Sequence, residues 1–165
     1  MTTSTHIHFD NKSYLREHLW LWCHPAGCYN GLWELPGQSN VTPGEAVGIL
    51  GIDNAVMVVF DGKPQPPFLS YAEQFAGMDK IVWSIIGDSG SKRNNKASDI
   101  EYVLDLKSVL PGLQGAIMDD FFGQGRDNLE QVKDFASRLH AAGLELWVVL
   151  YGHQMDIPGL KEFLE

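Results

Sequence analysis

The sequence of 165 residues is long enough for one domain with a buried core, and a hydrophobic content of 44% excludes a disordered or fibrous chain. A formal net charge of −9, with no lysine or arginine cluster to offset it, argues against nucleic acid or an anionic membrane as partner. No run approaches the ~18 apolar residues that span a bilayer. The start, Met1 to His8, lacks the basic and apolar regions of an export signal, which predicts a cytoplasmic protein.

Residues 1–17 read as a polar tail and residues 18–165 as the domain. The first strand is predicted over His18 to Cys23, which is rich in aromatic and aliphatic side chains, and it stops at His24-Pro25-Ala26-Gly27. Cys23 and Cys28 bracket that stop; they either close a small loop or remain the free thiols of a reducing compartment, and zinc would need two further ligands. A long irregular stretch from Cys28 to Asn40 carries Tyr29, Asn30, Trp33 and Glu34. Loops of that length in a compact domain are functional or disordered, and the aromatics speak against disorder.

Thr42-Pro43-Gly44-Glu45 places a capping threonine, a proline at the first helical position and a glutamate two residues on, which predicts a helix ending near Gly51. A second strand is expected over Asn54 to Phe60, a helical segment over Phe68 to Ala76, and a third strand over Lys80 to Ile86. Ser98-Asp99-Ile100-Glu101 opens another helix that Pro111-Gly112 stops. The fourth strand is the apolar run Gly115-Ala116-Ile117-Met118, which ends in Asp119-Asp120-Phe121-Phe122. Asn128 caps an amphipathic helix closed by Gly143, the fifth strand covers Leu144 to Tyr151, and a last helix starts at Pro158.

Five strand–helix units in alternation predict a parallel α/β protein. Two architectures accept them: a flavodoxin-like doubly wound five-stranded sheet, or the first five strands of a (β/α)8 barrel. The strand ends favour the barrel. No glycine-rich phosphate loop follows the first strand, and neither a G-x-G-x-x-G nor a G-x-x-x-x-G-K-[ST] pattern occurs. Each strand instead runs into polar or aromatic residues: His24, Asp61, Asp88, Asp119 with Asp120, and Tyr151 with His153. Barrel enzymes assemble their sites from several strand ends on one face in this way.

Four stretches carry a resemblance: Trp20-Leu21-Trp22-Cys23-His24-Pro25-Ala26-Gly27, Val82-Trp83-Ser84-Ile85, Met118-Asp119-Asp120-Phe121-Phe122 and Trp147-Val148-Val149-Leu150-Tyr151. Through them the chain, over residues 18–165, resembles the N-terminal part of a glycoside-hydrolase-like (β/α)8 barrel protein. The resemblance implies that strands six to eight lie outside this chain and that the first and fifth strands carry open edges, a route to self-association. It also implies a carbohydrate substrate and an acid at the end of strand four, so Asp119 and Asp120 are the catalytic candidates.

Ionised aspartates at the end of a buried strand cost several kcal/mol without partners, which marks the pair as a site. Glycosidic hydrolysis uses two carboxyl groups. Neighbours in a strand point to opposite faces, so the pair is not expected to supply both, and Asp88 is a candidate second. The alternative for the pair is to cap the following loop. His24, Tyr29, Trp33, Asp88, Tyr151 and His153 are the expected substrate-binding residues, with Tyr29 and Trp33 suited to stacking on a sugar face. Trp20, Trp22, Trp83 and Trp147 fall on odd-numbered strands and are expected in the core. His6 and His8 superficially copy an H-x-H metal motif, but no strand precedes them. No cofactor and no bound metal is expected. The functional expectation is a carbohydrate-active hydrolase whose activity depends on a completed barrel, with a noncatalytic carbohydrate-binding or scaffold barrel as one alternative. The other is a metal-dependent hydrolase, in which His24 or His153 joins an aspartate.

Overall fold

The structure, a computed structural model, describes residues 11–86, 99–120, 122 and 129–164. Among them five parallel strands form one sheet: β1 Leu21–Cys23, β2 Asn54–Met57, β3 Lys80–Ile86, β4 Leu113–Met118 and β5 Glu145–Val148. The helices are α1 Asn11–His18, α2 Pro43–Leu50, α3 Leu69–Ala72, α4 Ile100–Asp105, α5 Leu129–Ala141 and α6 Leu160–Leu164. The α/β class expected from the alternating pattern is the class observed.

The strands lie in the order β1-β2-β3-β4-β5. That is the progression of the barrel reading; the doubly wound order, 2-1-3-4-5, sets β1 between two strands and differs from it there. Sequential parallel strands joined by right-handed crossovers advance in one direction and put their helices on one face. The packing agrees. One large cluster joins Ala55, Met57, Ile81, Trp83, Ala116 and Met118 of the sheet to Phe75 after α3, Val103 of α4, Val132 and Leu139 of α5 and Leu160 of α6.

The opposite face carries a smaller cluster of Val56, Val58, Val82 and Ile117, against which Trp20, Trp147 and Val149 pack. Trp20 precedes the edge strand β1 and Trp147 sits on the other edge, yet their rings lie 5.0 Å apart. Four strand spacings in a flat sheet would separate those edges by about 19 Å. The sheet is therefore curled, with this face concave. Of the four tryptophans expected in the core, Trp83 is fully buried on the helical face and Trp20 and Trp147 pack against the smaller cluster; the expectation is corrected for Trp22, which is 44% exposed, because odd-numbered strands do not present these positions to the same side.

Thr42 caps α2 as expected, its hydroxyl accepting from Glu45 N while Glu45 Oε2 accepts from Thr42 N, and Gly51 ends the helix at φ 64°. Residues 11–17, read as tail, form most of α1. Its polar sequence hides its anchor, the buried Asn54 Nδ2, which donates to the carbonyls of Arg16, Glu17 and Leu19 at 3.0–3.1 Å. The helix is thereby pinned at the N-terminal end of β2. The expected caps Ser98 and Asn128 fall outside the described residues.

Candidate functional site

The C-terminal ends of the strands form a rim, and its polar and aromatic side chains fall into two groups. At the ends of β1 and β2, His24 meets Tyr29 edge-on with ring centroids 4.8 Å apart and Phe60 at 5.6 Å. Tyr29 also tilts against Trp33 at 4.5 Å. Trp33 and Glu34 both sit at positive φ, 53° and 54°, a strained region for side chains other than glycine, and Trp33 is 69% exposed. The loop therefore holds an indole out to solvent beside a tyrosine.

His24 Nδ1 is buried and has no hydrogen-bond partner among the described residues. Desolvation pushes its pKa down to about 4, opposed in part by a hydrogen bond with the Val58 backbone. The ring is neutral at physiological pH. Beside it, a cleft of about 490 Å³ runs along β1 and is lined by Trp22, His24, Tyr29, Asn30 and Gln38, among others. Cys23 and Cys28 also line it, and both thiols are free. Burial pushes the Cys23 thiol up to about 12, while its Sγ donates to Val56 O at 3.2 Å. Burial raises Cys28 as well. Neither is an activated nucleophile.

The second group lies at the ends of β4 and β5. Asp119 is 3% exposed, and its Oδ1 accepts the N–H of Asp120 at 3.1 Å. Asp120 has φ 48°, a left-handed conformation that aspartate tolerates better than most residues. Strand alternation stops at Met118, the last residue of β4, and so does the expectation that the two carboxylates face opposite sides. Asp120 reaches β5's end, where Tyr151 Oη donates to its Oδ1 at 2.7 Å.

Tyr151 feels both acids. The hydrogen bond to Asp120, then desolvation, then the charges of Asp120 and Asp119, push its phenol up to about 12. It remains a proton donor throughout the physiological range. His153 stacks on the Tyr151 ring with centroids 5.9 Å apart. The pairing of β3 with β4 slips between Ser84 and Ile86, at the same end of the sheet, as irregularities beside sites often do.

One residue missed in the sequence completes this group. Gln154 is 5% exposed; its Nε2 donates to Phe122 O at 2.7 Å and its Oε1 accepts from Tyr151 N at 3.0 Å. The signal for it is a glutamine in the short polar stretch after strand five, next to His153. Asp88, expected as a second carboxylate, lies outside the described residues, as do His6 and His8. Among the described residues no three His, Cys, Asp or Glu side chains converge as metal ligands, and no helix is long and apolar enough to cross a membrane. Compared with models of protein families, with curated proteins and with solved structures, the chain matches none.

Proposed function

We propose that this chain is a barrel-type carbohydrate-active hydrolase in which Asp120, with Asp119 beside it, exchanges the proton of glycosidic cleavage. The observation that carries the reading is the 2.7 Å bond from Tyr151 Oη to Asp120 Oδ1, beyond the C-terminal ends of β4 and β5. In hydrolysis water adds across the glycosidic bond: the departing oxygen must gain a proton and the incoming water must lose one. A half-buried carboxyl, fixed through one oxygen by a hydroxyl that stays protonated, suits that exchange. Tyr29 and Trp33 supply the apolar faces on which sugar rings stack.

A second reading, noncatalytic carbohydrate binding, is favoured by the cleft along β1, whose lining combines aromatics and amides without an acidic side chain among the described residues. One experiment separates the two. The wild-type chain is incubated with soluble polysaccharides and aryl glycosides, and released reducing ends and retained glycan are both measured. The hydrolase reading expects cleavage that Asp120→Asn abolishes. Retention of glycan without cleavage, equal in wild type and Asp120→Asn, replaces it with the binding reading.

A further inference from the structure

Gln154 is an interior carboxamide whose orientation chemistry fixes. The Tyr151 backbone N–H can only donate and the Phe122 carbonyl can only accept, so the atom facing the first is the amide oxygen and the atom facing the second is the NH2 group. No flipped amide satisfies both. The backbone N–H of Gln154 adds a third bond, to Tyr151 O at 2.8 Å, closing the tight turn that follows β5. A buried amide left without these partners bears its full desolvation penalty, so the arrangement is held firmly.

Phe122 is two residues beyond Asp120, and Tyr151 is three residues before Gln154. The loops after β4 and β5 are thus tied twice, once through Gln154 Nε2 to Phe122 O at 2.7 Å and once through Tyr151 Oη to Asp120 Oδ1 at 2.7 Å. The two ties differ in burial. Gln154 is 5% exposed and Tyr151 42% exposed, so water competes for the second bond and is excluded from the first. A solvent-facing bond is well ordered only where the groups on both sides of it are already held.

We propose that Gln154 is a positioning residue, the buried tie that holds the loop bearing Asp120 against the turn bearing Tyr151 and so fixes the hydroxyl on the carboxylate. The residue type matters. Glutamate keeps the acceptor for Tyr151 N–H but sets a carboxylate oxygen against the Phe122 carbonyl, and methionine keeps the volume but loses both contacts. The consequence for catalysis rests on the hydrolase reading of Asp120; the geometric part stands apart from it.

The test uses the full chain with Gln154→Met and Gln154→Leu, neither of which adds a charge beside the phenol, each compared with its own Tyr151→Phe form. The ultraviolet phenolate signal that disappears with Tyr151→Phe isolates this tyrosine among the 5 in the chain. Near pH 11 the wild-type difference signal is expected to be largely absent, and in both Gln154 variants closer to one full phenolate, as the phenol falls towards its ordinary value of about 10. Near-ultraviolet circular dichroism confirms that each variant is folded, and Gln154→Leu carries the test if Gln154→Met does not fold. A phenolate signal in a folded variant that matches wild type overturns the proposal. If wild type cleaves glycosides, the variants are further expected to lose about tenfold in kcat with KM within about twofold. Absence of cleavage defeats the hydrolase reading alone, whereas cleavage and titration both unmoved by the substitutions defeat the positioning role alone.

Discussion

Removing a single oxygen from Tyr151 is the sharpest perturbation of the rim. In Tyr151→Phe the ring, and with it the stacking on His153, is kept while the 2.7 Å bond to Asp120 is lost. A hydrogen bond to a charged group contributes ~1.5–3 kcal/mol when shielded from water. Tyr151 is 42% exposed, so screening reduces the expected loss to about 1 kcal/mol, a fall in Tm of roughly 2–4 °C for a chain of this size. The pH dependence is more diagnostic. The folded phenol is raised to about 12 from the ordinary tyrosine value of 10.0, so the bond's contribution is complete below pH 10 and disappears as pH rises through 12. Urea unfolding of wild type and variant at pH 8, and at steps above pH 10, should therefore show a gap of about 1 kcal/mol that closes with rising pH. A gap that is absent at pH 8, or that stays constant across the alkaline series, would mean that Tyr151 does not donate to Asp120 in the folded protein.

Other positions give independent checks. His24, pushed down to about 4 from 6.5 by burial, should remain neutral at pH 5 in a nitrogen-detected NMR titration; the stability this contributes is present above pH 6.5 and lost as pH falls towards 4, and a midpoint near 6.5 would contradict the burial. An added Cβ at Gly115 would lie 2.4 Å from the Glu145 carbonyl on β5, whereas one at Gly48 in α2 meets nothing within 4 Å. Gly115→Ala should accordingly cost more than ~2 kcal/mol in urea unfolding and Gly48→Ala should gain ~0.5–1 kcal/mol; equal effects would mean that β4 and β5 do not pack as closely as described. Trp33→Ala should weaken glycan retention by roughly three- to tenfold without lowering Tm, and unchanged retention would remove the exposed indole from the site.

Much of the fold was legible because local signals and tertiary packing agree. The threonine and glutamate around Pro43 form the reciprocal cap that their spacing promises, and the apolar runs at Lys80–Ile86 and around Ala55 are strands. What escaped was set by contacts distant in sequence. α1 is too polar to announce itself, and its end is held by an asparagine 35 to 38 residues away. The side to which each tryptophan points depends on where every strand begins, so a shared core did not follow from strand parity. The aspartate pair stood out in the sequence as a candidate, but its geometry did not: period-two alternation ends with β4, and a left-handed residue then turns Asp120 towards Tyr151. Gln154 escaped because its importance lies in two backbone partners that no spacing rule connects.

Steady-state hydrolysis of the best glycoside substrate by Asp120→Asn, alongside wild type, is the most direct test of the proposed proton exchange at Asp120. Under that proposal wild type turns the glycoside over and the asparagine variant, folded to the same near-ultraviolet spectrum, loses at least about a hundredfold in kcat. An Asp120→Asn protein that hydrolyses as fast as wild type would contradict it.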